Sequence, residues 1–331
     1  MQQAANDMRA SVPQRRGLCN KACMSNSVRP FNPNLFSGNP LDRASEERCN
    51  AEWLAARRAD PRSQMAALWH GDPLIAGGRV LFLDLAATRE FPSDAAFVFL
   101  GLDNGRATFA IDASAAQARE LAPFAEIGEY KSLRDAAPEL SAREAAIIGQ
   151  ARWLIEWHRK HKFCAQCGAP TRMSHGGEKR DCPGCSAEHF PRTDPVAIIL
   201  AEHDGACLLG RNSKFPPSYF SALAGFVEAA ETPEECAVRE LREEAGVDIV
   251  EIRYQFSQPW PFPASMMMGF IATARDRALR LDQKEIVEAR WASLEEIRAI
   301  LDGEKREDLR LPPRFTIARR LVERWAGRER D

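Results

Sequence analysis

The residues best able to do chemistry lie between Gly225 and Val247, where Gly225 is followed after five residues by Glu231 and after seven more by Arg239-Glu240-Leu241-Arg242-Glu243-Glu244-Ala245-Gly246-Val247. Thr232 suits a helix N-cap, Pro233 the first helical position, and Glu235 completes a capping box. Ala237, Leu241 and Ala245 recur at helical spacing and predict a core-facing line, and Gly246 is a natural stop. On such a helix Glu240 lies one turn from both Glu243 and Glu244. Like charges at this spacing repel unless a cation offsets them, and clustered oxygen ligands suit Mg2+ or Mn2+. Arg239 and Arg242 are expected to orient the carboxylates through ion pairs. On the glutamates alone, a solvated acidic helix face is the competing reading.

A second cluster is sulfur. Cys164-Ala165-Gln166-Cys167 and Cys182-Pro183-Gly184-Cys185 are separated by fourteen residues. Each CxxC forms a tight turn aiming two thiolates at one point, and two such turns complete a tetrahedral zinc site. Gly168 and Gly184 fit the close-packed turns around that metal. Four protein ligands leave no open position, so this Zn2+ is expected to be structural, with His175 and His189 outside the ligand set. Cys19, Cys23, Cys49, Cys207 and Cys236 are scattered and read as free thiols.

The elements that must position these residues follow from periodicity. Val80 to Leu83, Ala96 to Leu100 and Arg106 to Ile111 read as strands, with Asp103-Asn104-Gly105 as a hairpin turn. Ser141 and Glu144 cap a long helix that runs into Arg159-Lys160-His161-Lys162. Beyond the cysteines come strands at 195–201, 206–211 and 222–227, a helix at 233–245, and strands near 250–257, 266–273 and 287–291. Two helices close the chain, one from Leu294 and one from Phe315. The fold class is therefore α/β (α+β).

The length of 331 residues calls for two or three domains. A net charge of −2 gives no case for a strongly basic nucleic-acid binder. No apolar run approaches the ~18 to 20 residues of a membrane span. The first forty residues are polar and lack the apolar centre of a secretory signal, so a cytoplasmic protein with a flexible extension is expected.

The segment 225–247 matches Gx5Ex7REUxEExGU, with U aliphatic, at every fixed position, and so resembles the Nudix hydrolases. Ser257-Gln258-Pro259-Trp260-Pro261-Phe262-Pro263-Ala264-Ser265 looks like the SQPWPFPxS signature of the NADH pyrophosphatases within that superfamily. The paired CxxC motifs and Thr316 to Leu321 add to the resemblance, which covers residues 140–325 specifically. On composition alone the signature stretch reads as a rigid surface loop.

The flexible extension read from composition spans 1–40, and the resemblance implies an N-terminal Nudix-like α/β domain with a connecting helix at 41–160. It implies a zinc ribbon at 161–190 and a catalytic Nudix α/β/α sandwich at 191–331. It implies that Glu240, Glu243 and Glu244, with Glu285 as a further ligand, hold Mg2+ or Mn2+ against the pyrophosphate. Adenine is expected between Phe226 and Phe190 of the other subunit of a homodimer, with Ala318 touching it through its backbone. Ordinary core packing is the alternative for either ring. Gln258 and Ser265 are expected to touch the nucleotide. The family commonly has Gly where this chain has Ala230, so a positive φ there would strain the loop. The implied substrates are NADH, NAD+ less well, and the NAD cap of RNA. The alternatives are ADP-ribose or another nucleoside diphosphate derivative, or an inactive zinc-ribbon protein that binds nucleic acid through Arg159 to Lys162, Arg172, Lys179 and Arg180.

Overall fold

The computed structural model describes residues 34–327. Cys19, Cys23 and residues 1–33 of the expected extension lie outside the described residues. The described end of that extension departs from the expectation of flexibility. Phe36 is 4% exposed, and its ring meets Trp260 and Phe262 edge-on at 6.2 and 5.9 Å. Asn39 donates to Ala146 O and Gln150 Oε1. A short run with two adjacent large apolar residues, Leu35 and Phe36, shows no periodicity, yet Phe36 fills an interdomain seam.

The N-terminal half is a mixed sheet of β1 (Gln64–Trp69), β2 (Asp72–Ala76), β3 (Arg79–Val80), β4 (Phe82–Asp84), β5 (Phe97–Asp103), β6 (Arg106–Asp112) and β7 (Glu129–Tyr130). The central order is β3-β2-β1-β6-β5, with β1 and β6 parallel. The helices of this half are α1 (Ala51–Ala59), α2 (Leu133–Ala136) and α3 (Ala142–Lys160). The strand expected over Val80–Leu83 is split. Leu81 N donates to Leu74 O, so β3 pairs with β2 while β4 turns to β1. The turn at Asn104-Gly105 holds the β5–β6 hairpin, both residues having positive φ. Helix α3 starts at the Ser141–Glu144 capping box.

The ribbon is a three-stranded antiparallel sheet of β8 (Arg172–Ser174), β9 (Lys179–Asp181) and β10 (Glu188–His189). The C-terminal half contains β11 (Asp194–His203), β12 (Ala206–Asn212), β13 (Leu223–Phe226), β14 (Ile249–Trp260), β15 (Ser265–Ala274) and β16 (Ile286–Ser293). Its order is β14-β15-β11-β12-β16, with β13 on β11 and a parallel β11–β15 pair at the centre. The helices here are α4 (Pro233–Ala245), α5 (Leu294–Leu301) and α6 (Ile317–Trp325). Alternation on β11 sorts the two faces. Ala197, Ile199 and Ala201 pack with α4 residues Ala237, Leu241 and Ala245, while Ile198 and Leu200 pack with Ile297 of α5 and Ile317 and Leu321 of α6.

The signature segment is no surface loop. It forms the end of β14, a turn and the start of β15, and Trp260 and Phe262 pack on the N-terminal core. The guanidinium carbon of Arg134 sits 4.3 Å from the Phe262 ring centroid, and Arg152 Nε donates to Pro261 O at 2.8 Å.

Because Phe36 closes this joint, Phe36→Ala should cost about 3 kcal/mol or more of stability, the usual range for a buried Phe truncated to Ala. Urea unfolding measures it. An unchanged midpoint would mean that the segment is not docked.

Candidate active site and zinc centre

Helix α4 places its carboxylates by packing. The buried line Ala237-Leu241-Ala245 fixes its rotation, which leaves Glu240 and Glu244 on the flanks of the buried stripe at 9% and 6% exposure. Glu243 faces solvent, with its side chain 61% exposed. Gly225 of β13 runs directly beneath Glu240. A Cβ built on it would fall 1.8 Å from Glu240 Cδ, so only glycine leaves room for that carboxylate.

Arg239 is the hub of this loop and helix. It grips Glu231 through Nε at 2.8 Å and Nη2 at 2.9 Å. It donates from Nη1 to Glu240 at 2.8 Å and Glu243 at 3.0 Å, and from Nη2 to Phe226 O at 3.0 Å. The Arg239 side chain holds the Glu231 carboxyl down at about 2. The expectation for Arg242 is corrected: it pairs with Asp248, at 2.9 to 3.0 Å, and touches none of the glutamates. It points to the helix's far side, as its position two residues from Glu240 requires. Ala230 does adopt φ 65°, so the alanine carries the strain that a glycine would avoid.

Burial pushes the Glu244 carboxyl up to about 8, reinforced by the negative charges of Glu240, Glu285, Asp282 and Glu243. Burial also raises Glu240, with Arg239 pulling down and Glu243 and Glu285 pushing up. Glu244 Oε2 is buried and has no hydrogen-bond partner. An orphaned carboxylate oxygen amid four other acids fits a site for a divalent cation held by oxygen ligands. Its members come from α4 and from the 282–285 turn, which is tied to the helix end by Asp282 N donating to Glu244 O. Asp282 was missed at the level of sequence, although it lies three residues before Glu285; nothing in its type or spacing sets it apart from a surface acid.

The sheet divides the remaining residues. Gly225 pairs with Ala197 on the α4 face and Phe226 with Val196 on the other, so consecutive residues serve opposite sides. Phe226 is 61% exposed. The face it joins continues through Ile198 and Met267 into a cavity of about 490 Å³, also lined by Phe215, Trp260, Phe315 and Ala318. Arg134 reaches the same wall from the N-terminal domain, a contribution that no motif marks in the sequence. Gln258 lines it too, but its amide is engaged: Nε2 donates to Leu35 O and Phe315 O, and Oε1 accepts from Ile317 N. It caps the start of α6 and ties it to the N-terminal segment. Ser265 is 6% exposed at the start of β15, opposite Asp194 and Trp260. Phe190 follows the ribbon and is 60% exposed, with its ring apart from this cavity's lining.

The sulfurs of Cys164, Cys167, Cys182 and Cys185 all lie within 4.8 Å of one another. The separations Cys164–Cys185 and Cys167–Cys182 are 3.6 and 3.4 Å. A tetrahedron with Zn–S bonds of ~2.3 Å has edges of ~3.8 Å, so the four thiols fit a zinc ion. Burial opposes ionisation of Cys164, but backbone N–H groups of Cys167 and Gln166 and the ring of His189 outweigh it and hold the thiol at about 6. His189 Nε2 lies 3.3 Å from Cys164 Sγ, beside the ligand set.

A carboxylate-bearing helix packed on a mixed sheet, with its glycine strand under the first glutamate, defines a metal-dependent hydrolase of the Nudix class. Sequence comparison with known proteins agrees. Residues 191–313 match the model of the NUDIX domain, 62–157 that of the NADH pyrophosphatase-like rudimentary NUDIX domain, and 159–190 that of the NADH pyrophosphatase zinc ribbon domain. The NAD-capped RNA hydrolase NudC of Mycobacterium bovis is 36% identical over 314 residues, 89% of this chain and 95% of that protein. The NAD-capped RNA hydrolase NUDT12 of Macaca fascicularis is 33% identical over 337 residues, 88% of this chain and 73% of that protein. A NUDIX hydrolase structure from Nitrosomonas europaea, 25% identical, covers 50% of this chain and 90% of its own with a TM-score of 0.41. The chain belongs to the Nudix hydrolases, in the group of NADH pyrophosphatases that carry a rudimentary Nudix domain and a zinc ribbon.

The raised Glu244 carboxyl has a consequence for stability. Without divalent cation, the folded chain binds its proton more tightly than the unfolded chain does. Stability from this group is therefore present at low pH and is lost as pH rises towards about 8. His158, buried and held at about 4, acts in the opposite sense below its unfolded value of 6.5. The Cys164 thiol, held at about 6 in the folded chain, also acts in the opposite sense above that value unless Zn2+ keeps it ionised. The clean window, from pH 6.5 to about 8, is therefore that of the zinc-loaded chain. Across it the melting temperature of the zinc-loaded chain without added Mg2+ or Mn2+ should fall with rising pH, and Mg2+ should flatten the slope. A curve without Mg2+ or Mn2+ that is flat, or that rises, would contradict this.

Proposed function

We propose that the protein hydrolyses the pyrophosphate of NADH to reduced nicotinamide mononucleotide and AMP. NAD+ is a poorer substrate, and the NAD cap of RNA is a second one. The observation that carries this reading is the buried, partnerless Oε2 of Glu244 in the negative field of Glu240, Glu285, Asp282 and Glu243. It lies on the helix whose Glu240 sits over Gly225, the strand neighbour of the exposed Phe226. The names of the relatives, NAD-capped RNA hydrolases, support the choice of dinucleotide.

Glu240, Glu244 and Glu285 would hold Mg2+ or Mn2+, with Glu243 at the solvent side. A cation bound there offsets charge on the pyrophosphate and makes water a better nucleophile. Arg239 fixes Glu240 and, through Phe226 O, the strand end that presents the ring. Phe226 stacks on adenine, and Phe190 of the partner subunit of a homodimer supplies the other face. The aromatic cavity lined by Met267, Trp260 and Ala318 continues the face of Phe226 and keeps water from the nucleotide, with Ala318 touching adenine through its backbone. In this reading Gln258 acts by fixing α6, and with it Ala318, and Ser265 by fixing the strand start. Zn2+ in the ribbon is structural. Among the described residues no helix is long and apolar enough to cross a membrane; cytoplasmic residence is part of the proposal.

The test is chromatography of products from NADH, NAD+, ADP-ribose and NAD-capped RNA with Mg2+ or Mn2+. NADH should be cleaved with the highest kcat/KM among the small molecules; faster cleavage of ADP-ribose would favour that substrate instead. Loss of a base–aromatic stack is worth ~1 to 3 kcal/mol, so Phe226→Ala should raise KM for NADH roughly fivefold or more. An unchanged KM would remove the platform role.

A further inference from the structure

A cleft of about 770 Å³ opens between the end of the N-terminal sheet, the last turn of α3 and ribbon strand β8. Its lining includes Arg159, Lys162, Phe163, Arg172 and Arg180. Arg159 is paired with Glu156 at 2.9 Å, so three cations, Lys162, Arg172 and Arg180, remain to face the two carboxylates that also line the cleft, Asp94 and Asp112. Asp112 is turned to its own chain, accepting from Ser114 N and Oγ.

Arg180 is the unusual member. It is only 9% exposed, yet among the described residues no carboxylate pairs with it. Its Nε donates to Thr171 Oγ1 at 2.7 Å, Nη2 to Thr171 O at 2.9 Å and Nη1 to His158 Nδ1 at 3.1 Å. His158 Nε2 is itself taken by Gly177 O at 2.8 Å, which leaves Nδ1 as the acceptor. A guanidinium has five N–H groups, so two remain after these bonds. Burying a cation without a counter-ion is costly, and an anion entering the cleft would relieve that cost. Neighbouring bases differ in this respect: Lys160 pairs with Glu156, and Lys179 with Asp181 and Glu188. Lys162 and Arg172 are exposed and, among the described residues, make no ion pair. Beside them Phe163 leaves a ring 67% exposed, which no packing need explains.

We propose that this cleft is a second nucleotide-binding site, where Arg180, Arg172 and Lys162 hold a phosphate and Phe163 stacks on the base. Its volume lies within the range of small-molecule sites, and stacking beside backbone-binding cations is the chemistry of single-stranded nucleic-acid recognition. The shared ligand is a nucleoside phosphate, either free in solution or one unit of an RNA strand.

The test uses the full chain without added divalent cation, so that no cation at the glutamate site helps to hold the phosphate of the probes. Arg180 is a buried tie between the ribbon and α3, so the exposed residues are changed: Lys162→Glu with Arg172→Glu, and separately Phe163→Ala. Binding of AMP by calorimetry and of a labelled, uncapped RNA decamer by anisotropy is compared with the parent, and NADH hydrolysis is measured with Mg2+ restored. The charge-reversed variant should lose at least tenfold in affinity while its KM for NADH stays at the parent value. Loss for AMP and RNA together identifies a mononucleotide site; loss for RNA alone identifies a strand site. Affinities for both probes unchanged in both variants would overturn the proposal. So would a parallel loss of NADH turnover, because the cleft would then belong to the glutamate site.

Discussion

Two carboxylates held out of water side by side are the constraint around which the catalytic half is built. Glu240 and Glu244 sit at the edge of the buried stripe of α4, at 9% and 6% exposure, and their mutual repulsion opposes folding. The structure offsets part of that cost at Glu240 and leaves it standing at Glu244. Arg239 neutralises the first and is itself anchored by Glu231. The second keeps an oxygen with no partner, and the carboxyl rises to about 8. A proton on Glu244 relieves this repulsion below about pH 8, and a divalent cation turns it into attraction. The missing Cβ of Gly225 and the Ala237-Leu241-Ala245 line serve to hold the pair at that tension.

The same strand end connects the acids to the rest of the site. Gly225 makes room for Glu240 on one face of the sheet, and Phe226 emerges on the other beside an aromatic cavity. That cavity is closed by the joint between the two halves. Trp260 and Phe262 of the signature segment lock into the N-terminal core with Phe36, and Gln258 ties Leu35 to α6. The rudimentary domain thus contributes a wall, through Arg134, as well as a support. In the ribbon, the sulfurs are gathered by two turns whose backbones each bond back on themselves, Gly168 N to Cys164 O and Ser186 N to Cys182 O.

What could be read in the sequence followed from local rules. The capping boxes at Ser141 and Thr232, the Asn104-Gly105 turn and helix α4 are set by neighbours within four residues, and each stands where the spacing predicts. The paired CxxC turns and the glutamates of α4 belong to the same kind. Strands β1 and β2 were missed because Gln64–Trp69 is buried on both faces and so shows no alternation; its small Ala66 and Ala67 also lack strand preference. Long-range partners were equally hidden. Nothing local indicates that Arg242 pairs with Asp248, that Gln258 spends its amide on three backbone groups, or that Asp282 adds its charge to Glu244.

The central claim is that Glu244 is a metal ligand kept at a cost to the metal-free fold, and Glu244→Gln tests it most directly. The substitution keeps the shape but removes the charge. NADH hydrolysis and thermal melting are measured on the variant and the parent, in EDTA and in Mg2+. The account predicts that turnover falls by orders of magnitude, that the variant in EDTA melts at or above the parent temperature, and that Mg2+ stabilises it less. A variant that hydrolyses NADH at the parent rate, or that gains as much from Mg2+ as the parent does, would contradict it.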